Sequence, residues 1–542
     1  MSSRLFEVLL ERRGITADFL SPKYDETWLG DESLLPDIEK AVDRLVEARK
    51  KGEKVLVFGD YDADGITAST VMVEGLEAMG ITVAGVMLPN RFEDGYGMNP
   101  GVIVRAVECE ATLVVTVDTG SGGEEVIAGL LEQGVETIVT DHHECPKRPK
   151  SAVAVVNPKR KISKYINRDL AGVGVAFKVI CALDKRLSKR ESRIEGWEKW
   201  LLDLVAIGTV CDSVPLTGEN RALVYWGMRV LEKTKRVGLQ ELIRESGMKR
   251  VDAVSVGFLL GPRLNAAGRM DSPYRAYELL REESKAKAAE LTTELCELNA
   301  GRRDLQDKAF ESACRKVGKD DMRVLCVKGM WHQGVIGIVA GKMVEKFRKP
   351  CIVFTKQKDL LVGSARSFGD FDLAAALGHC EDYTVGGGGH KYAAGVKIEP
   401  DRFDEFGVAI NSYYGSLGLE NQEKYLCPAA EVVVTDLGEL TAEFAHELEK
   451  LEPFGEGNAE PVIELQNVTV TDMNMMGRGE KHLAMTVANA GGVMRLVAFS
   501  APDEWKKIEL GTVVNVMVRI RLNEWRGIER VEGEIVEITD SI

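Results

Sequence analysis

The stretch "VLVFGDYDADGITAS", Val55 to Ser69, sets Asp60, Asp62 and Asp64 within five residues and follows them with Gly65. Like charges this close need a partner that neutralises them. Asp-x-Asp-x-Asp-Gly also opens an EF-hand calcium loop, whose Gly makes the sharp turn. Two features exclude that loop. The twelfth position from Asp60, where a bidentate Glu is required, is Val71, and the preceding "KVLVF" reads as a buried strand where an EF-hand has a helix.

Working outward, "KVLVF", "ITVAGVML", "ATLVVTV" and "VETIVT" alternate with helical stretches such as "TASTVMVEGLEAMG" between Lys54 and Asp141. That alternation predicts βαβ units around a parallel sheet, an α/β fold. Ligands of such sheets sit at the carboxyl ends of the strands. The acidic and His residues Asp60 to Asp64, Asp118, and Asp141-His142-His143 follow these runs, so the polar groups are expected along one sheet edge.

The chain has 542 residues, too many for one hydrophobic core, and its 45% hydrophobic and 29% charged content is that of a soluble globular protein. No run of 18 apolar residues occurs, and "MSSRLFEVLLERRG" lacks a signal-peptide pattern, so a cytoplasmic protein without a membrane span is expected. The ten cysteines form no Cys-x-x-Cys pair and read as buried thiols in a reducing compartment. A net charge of −15 argues against polyanion binding over the whole surface and confines any nucleic-acid site to a local groove.

Five segments are expected: an N-terminal helical segment over 1–45, the first α/β domain over 46–270, a connecting helix over 271–320, a second α/β domain over 321–415, and a small β-barrel over 425–542. The connector, from Arg275 to Val317, has no Pro and a single Gly, Gly301. It reads as one or two solvated amphipathic helices that act as a spacer joining two domains, reaching about 60 Å if continuous.

Asp62, Asp64, Asp118, His142 and Asp212 offer four carboxylates and one imidazole, with His143 and Asp60 beside them. Oxygen ligands mixed with His suit Mn²⁺ or Mg²⁺ better than structural zinc. A pair of such ions needs a bridging carboxylate, terminal ligands and an open face, and this inventory suffices. No G-x-x-x-x-G-K-[ST] loop occurs, and "AGVGVAF" is an incomplete glycine fingerprint, so nothing points to ATP or NAD.

"GDYDADG", "VDTG" (Val117 to Gly120), "TDHHE" (Thr140 to Glu144) and "GTVCDSVPL" (Gly208 to Leu216) resemble the four ordered motifs of the DHH phosphoesterases. "PNRFEDGYG", "GPRLNAAGRM", "WHQGVIGIVAGKM", "GSARS", "GGGGHKYAAG" and "LEPFGEGNAEP" are similar to stretches of the bacterial RecJ branch, whose members are exonucleases specific for single-stranded DNA. The likeness runs in order from Leu9 to Phe499.

The resemblance implies a DHH domain, a DHH-associated domain and a C-terminal OB-fold. It implies two Mn²⁺ or Mg²⁺ ions on Asp62, Asp64, Asp118, His142 and Asp212, with Asp118 bridging and His143 near the scissile phosphate. Many DHH enzymes carry a His where this chain has Phe58, so the first ion is held by fewer protein ligands or by Asp60. Ser364 and Arg366 would grip a 5′-terminal phosphate, with Arg91, Asn265, Arg269 and His390 around the nucleotide. Glycines 386 to 389 would let backbone N–H groups approach a phosphate, or form a turn.

In the barrel, Arg519, Arg521, Arg526 and Arg530 are diluted by Glu524 and Glu529, and Trp525 would stack on a base or plug the barrel. The implied reaction removes 5′-mononucleotides from single-stranded DNA in the 5′-to-3′ direction, in repair and recombination. A monomer is implied, cooperating with a helicase and a single-strand-binding protein. Two rivals are a DHH phosphoesterase for short oligoribonucleotides or cyclic dinucleotides, and a non-enzymatic replication scaffold. The barrel disfavours the first and the complete ligand set the second.

Overall fold

The computed structural model describes residues 3–95, 97–188, 196–318, 322–426, 429–477, 481–499, 501–525 and 527–540. Five parallel strands open it: β1 (Lys54–Phe58), β2 (Thr82–Met87), β3 (Leu113–Val117), β4 (Glu136–Thr140) and β5 (Ala154–Val156). Their order is β2-β1-β3-β4-β5. Helices cover both faces, so the central strands are buried throughout, and Val, Leu and Ile fill them without alternation. The first four strands lie where the apolar runs predict; β5 is three residues long and carried no such signal.

The strand order reverses between β1 and β3, and a crevice opens outside their carboxyl ends at such a switch point. Asp60 to Asp64 follow β1, and Asp118 follows β3. Phe58 is fully buried in the apolar layer with Leu56, Val102 and Val114, and so lies beneath the crevice.

A second sheet joins β6 (Leu325–Gly329), β7 (Cys351–Gln357), β8 (Leu360–Arg366), β9 (Gly386–Gly389) and β10 (Ala393–Ile398) in the order β6-β7-β8-β10-β9. The four glycines thus form an edge strand. A Cβ at Gly389, whose φ is +155°, would lie 2.3 Å from the Ala393 carbonyl oxygen, so the close return of the hairpin requires Gly there.

The C-terminal strands are β11 (Val432–Val434), β12 (Ile463–Met476), β13 (His482–Asn489), β14 (Gly492–Ala498), β15 (Val513–Trp525) and β16 (Ile528–Asp540). Pairing of β12 with β15 closes β12 to β16 into a five-stranded barrel, as an OB-fold requires, and β11 adds to it in parallel. The N-terminal helix Arg4–Arg13 packs on this barrel through Leu5, Phe6 and Leu9, so the two ends of the chain share one core.

The connector divides into Tyr274–Arg281 and a 32-residue helix, Lys285–Lys316, about 48 Å long. Extended backbone at Glu282 and Ser284 separates them, which is why the continuous length of about 60 Å is not reached. The long helix is more than a solvated spacer. Its buried stripe runs from Ala288 through Leu291 and Leu295 to Asn299, Arg302, Gln306, Ala309 and Ala313, apolar at both ends and polar in the middle. The nine described cysteines are free thiols. No helix among the described residues is long and apolar enough to cross a membrane.

Candidate metal centre and phosphate groove

The acidic loop after β1 turns directly into the helix Ala63–Ala78. Asp62 caps it, accepting from the N–H groups of Asp64 and Gly65, both at 3.1 Å. Gly65 is required for the tight return, because a Cβ there would lie 2.6 Å from the Asp60 carbonyl oxygen. Asn265 accepts from the Ala63 N–H at 3.0 Å and so pins the loop from the helix Gly261–Met270. Its oxygen thereby holds the aspartate loop, while the residue also lines the groove beside Cys211 and Ser213.

Asp64 accepts from the N–H groups of Gly172 at 2.7 Å and Val173 at 3.0 Å, at the N-terminus of the helix Gly172–Ser188. A helix N-terminus favours negative charge. Asp118 has φ +59°, left-handed backbone that non-glycine residues adopt uncommonly and Asp more readily than most. It approaches the same helix so closely that a Cβ on Gly172 would lie 2.4 Å from Asp118 Oδ1.

Three groups of ligand atoms lie within 4.8 Å of one another: Asp60, Asp62 and Asp118; Asp118, His142 and His143; and Asp64, His142 and Asp212. His142 Nε2 stands 3.1 Å from Asp118 and 3.6 Å from Asp212, without the alignment of a hydrogen bond. Asp118 Oδ1 and His142 Nε2 are buried and lack a hydrogen-bond partner among the described residues. Buried polar atoms in such a position are costly unless something binds them, and a cation between them is the matching group. All five expected ligands converge, with Asp60 and His143 beside them.

Electrostatics agree. Burial, and then the Asp62 charge, push Asp60 up to about 8 and Asp64 up to about 7. Burial and the neighbouring carboxylates also raise Asp118 and Asp212 well above the usual range. Burial and the His143 charge lower His142 to about 3, which leaves a neutral imidazole fit to ligate. Carboxylates packed so tightly are the signature of a site completed by positive charge.

The sequence reading assigned Asp141 no role. Burial would raise its carboxyl, yet the His143 hydrogen bond and charge hold it below the usual range. Asp141 accepts from His143 Nδ1 at 2.8 Å, and from the backbone N–H groups of Ser121, His142 and His143. This carboxylate orients the His143 ring and raises its basicity against the lowering effect of burial. Its place at the head of the His-His pair was the available signal.

A groove of about 720 Å³ begins beside Cys211 and Ser213. Asn265, Arg269, Arg302 and Ile338 line one part of it, and Glu456, Glu460, Arg519, Arg521 and Glu534 the part nearest the barrel. Arg269 lies against the start of the helix Gln333–Phe347, its Nη1 3.5 Å from the Gly334 carbonyl oxygen. Ser364 and Arg366 adjoin the same turn: a Cβ on Gly337 would meet Ser364 Oγ at 3.0 Å and Arg366 Nη2 at 3.2 Å.

Burial, and then the Arg91 charge, lower Arg269 to about 10 and lower Arg366 as well. Arg91 itself lies over the Tyr61 ring at 4.2 Å. Arginines gathered near a helix N-terminus have the charge and the donors that suit an anion. Arg302, buried on the long helix, bonds Asn299 and Gln306, and its charge is left for the groove; nothing local in a highly charged segment had marked it.

His390 is exposed between β9 and β10, and no described contact joins it to the arginines. Arg519 and Arg521 face Glu460, and Arg521 also pairs with Glu534 at 2.7 Å, so their charge is largely neutralised. Arg530 is exposed. Arg526 and the Trp525 side chain lie outside the described residues.

Residues 54–209 match the DHH family, N-terminal domain; residues 321–416 the DHHA1 domain; and residues 433–537 the RecJ OB domain. The single-stranded-DNA-specific exonuclease RecJ of Salmonella typhimurium is 33% identical over 91% of this chain and 88% of its own length. The chain belongs to the RecJ family. The RecJ of Bacillus subtilis is 34% identical over 90% of this chain, which spans 61% of that relative's length. The crystal structure of RecJ from Thermus thermophilus in complex with Mn²⁺ superposes with a TM-score of 0.86, at 29% identity, covering 100% of this chain and 76% of that one. The RecJ family therefore accounts for the parallel sheet, the associated domain and the closed barrel together.

Proposed function

We propose that the protein is a 5′-to-3′ exonuclease that hydrolyses single-stranded DNA to 5′-mononucleotides with two Mn²⁺ or Mg²⁺ ions. The observation that carries this reading is the convergence of Asp60, Asp62, Asp64, Asp118, His142 and Asp212 at the switch point of the first sheet. Asp118 and His142 each belong to two of the three ligand groups, and of the two only the Asp118 carboxylate has a second oxygen that would let it serve two ions. Bound there, the ions neutralise charge at the scissile phosphate and make the attacking water more acidic.

The chain's own residues do the rest. His143, aimed by Asp141, donates a proton to the departing 3′-oxygen. Ser364, Arg366, Arg269 and Arg91 bind the 5′-terminal phosphate, which fixes the scissile bond one nucleotide in. Arg302 balances backbone charge along the groove toward the barrel. We infer further that the protein works in repair and recombination, as a cytoplasmic monomer beside a helicase and a single-strand-binding protein.

Purified protein given 5′- and 3′-labelled strands, with and without Mn²⁺, tests the reading. Mononucleotide released from the 5′ label only with metal is expected. Release from the 3′ label, or preference for dinucleotides over long strands, would overturn it.

A further inference from the structure

The motif "LEPFGEGNAEP", Leu451 to Pro461, lends Glu456 and Glu460 to the wall of the groove, and its backbone also lies against the loop that carries Asp212. Asp212 ends the helix Leu202–Cys211, and its N–H donates to the Gly208 carbonyl at 2.9 Å. Ser213 then takes φ +60°, a strained non-glycine conformation that surrounding contacts must maintain. Three residues on, the Leu216 N–H donates to the Glu456 carbonyl at 2.7 Å. On the opposite side, Asn220 Nδ2 donates to the Pro215 carbonyl at 3.0 Å. The loop is therefore pinned between its following helix and the segment that leads into the barrel.

That segment is built to fit. The Gly455 N–H donates to the Asn458 carbonyl at 3.0 Å and the Asn458 N–H to the Gly455 carbonyl at 3.2 Å, closing a tight turn. Asn458, 5% exposed, donates through Nδ2 to the carbonyls of Leu451 and Pro453, both at 2.8 Å. Arg221, fully buried, holds the Leu451 carbonyl at 2.8 Å from the helix that follows the Asp212 loop. A Cβ on Gly455 would lie 2.7 Å from Leu216 Cδ1, and one on Gly457 3.1 Å from Pro215 Cβ. Glycine at both positions lets two backbones touch.

We propose that the turn Pro453–Asn458 is a positioning element for Asp212, so that affinity for the ion held by Asp64, His142 and Asp212 depends on the docking of the barrel-entry segment. The inference rests on the two-metal reading above. A ligand carboxylate must be held within about 0.5 Å, and here the anchor of its loop comes from the far end of the chain. A strand that engages the barrel thereby acts on the same element that sets the metal ligand.

Calorimetric titration of the full-length metal-free protein with Mn²⁺ is the test, using Gly455→Val to push Leu216 away and Asn458→Ala to open the turn without adding atoms. One of two Mn²⁺ sites should weaken by roughly tenfold or more while the other is unchanged, and turnover should recover at high Mn²⁺. Wild-type affinity at both sites in either folded variant overturns the proposal.

Hydrogen exchange on the wild-type protein, which needs no variant to fold, gives a second readout. Coupling is reciprocal, so Mn²⁺ should slow exchange across residues 451–461, and unaltered exchange there overturns it too. If the wild type binds no Mn²⁺ at all, it is the two-metal reading that fails.

Discussion

Asp118 is the residue on which most of the site turns. It combines left-handed backbone, full burial and membership of two ligand groups. Asp118→Ala should lower turnover by roughly a thousandfold while affinity for single-stranded DNA, measured by fluorescence anisotropy, survives. Turnover near wild type would remove the bridge from the mechanism. Arg366 belongs to the other half of the problem. With Arg366→Ala, the preference for a 5′-phosphorylated over a 5′-hydroxyl end should fall by roughly tenfold, the worth of one charge-assisted hydrogen bond. Loss of rate on both ends alike would place Arg366 in general binding instead.

At the scale of elements, the start of the helix Gly172–Ser188 does two things at once. Its N–H groups receive Asp64, and its first glycine admits Asp118. Gly172→Ala puts a methyl group where Asp118 Oδ1 stands, so the helix or the carboxylate must move. About 1–3 kcal/mol of stability should be lost in urea unfolding, together with most Mn²⁺ affinity. A variant that binds Mn²⁺ normally would show that the helix yields without disturbing the ligand.

The long helix differs from its sequence reading for a related reason. Composition predicted a solvated connector, but its polar middle, Asn299, Arg302 and Gln306, is buried by packing that no charge pattern announces. Across the whole molecule, the crowded carboxylates tie stability to pH and to metal. Asp64 and Asp60, at about 7 and about 8, keep protons in the folded chain that an unfolded chain loses near pH 4. Their contribution without metal is therefore greatest at low pH and is lost as pH rises between about 4 and 8. Mn²⁺ takes the place of those protons. The increase in Tm on adding excess Mn²⁺ should be larger near pH 8 than near pH 6, and equal increases would contradict the assignment.

The sequence by itself determined the parallel sheet, because strands buried on both faces must be written as continuous apolar runs and those runs are local. It also determined the ligand types, since carboxylate and imidazole chemistry is a property of the residue. Tertiary structure alone decided how they work together. It turned Asn265 toward the aspartate loop, paired Arg519 and Arg521 with Glu460, and drew the N-terminal helix onto the C-terminal barrel. Each of these joins residues whose pairing no local pattern fixes. A side chain's partner is chosen by which elements pack together, and packing is a property of the whole chain.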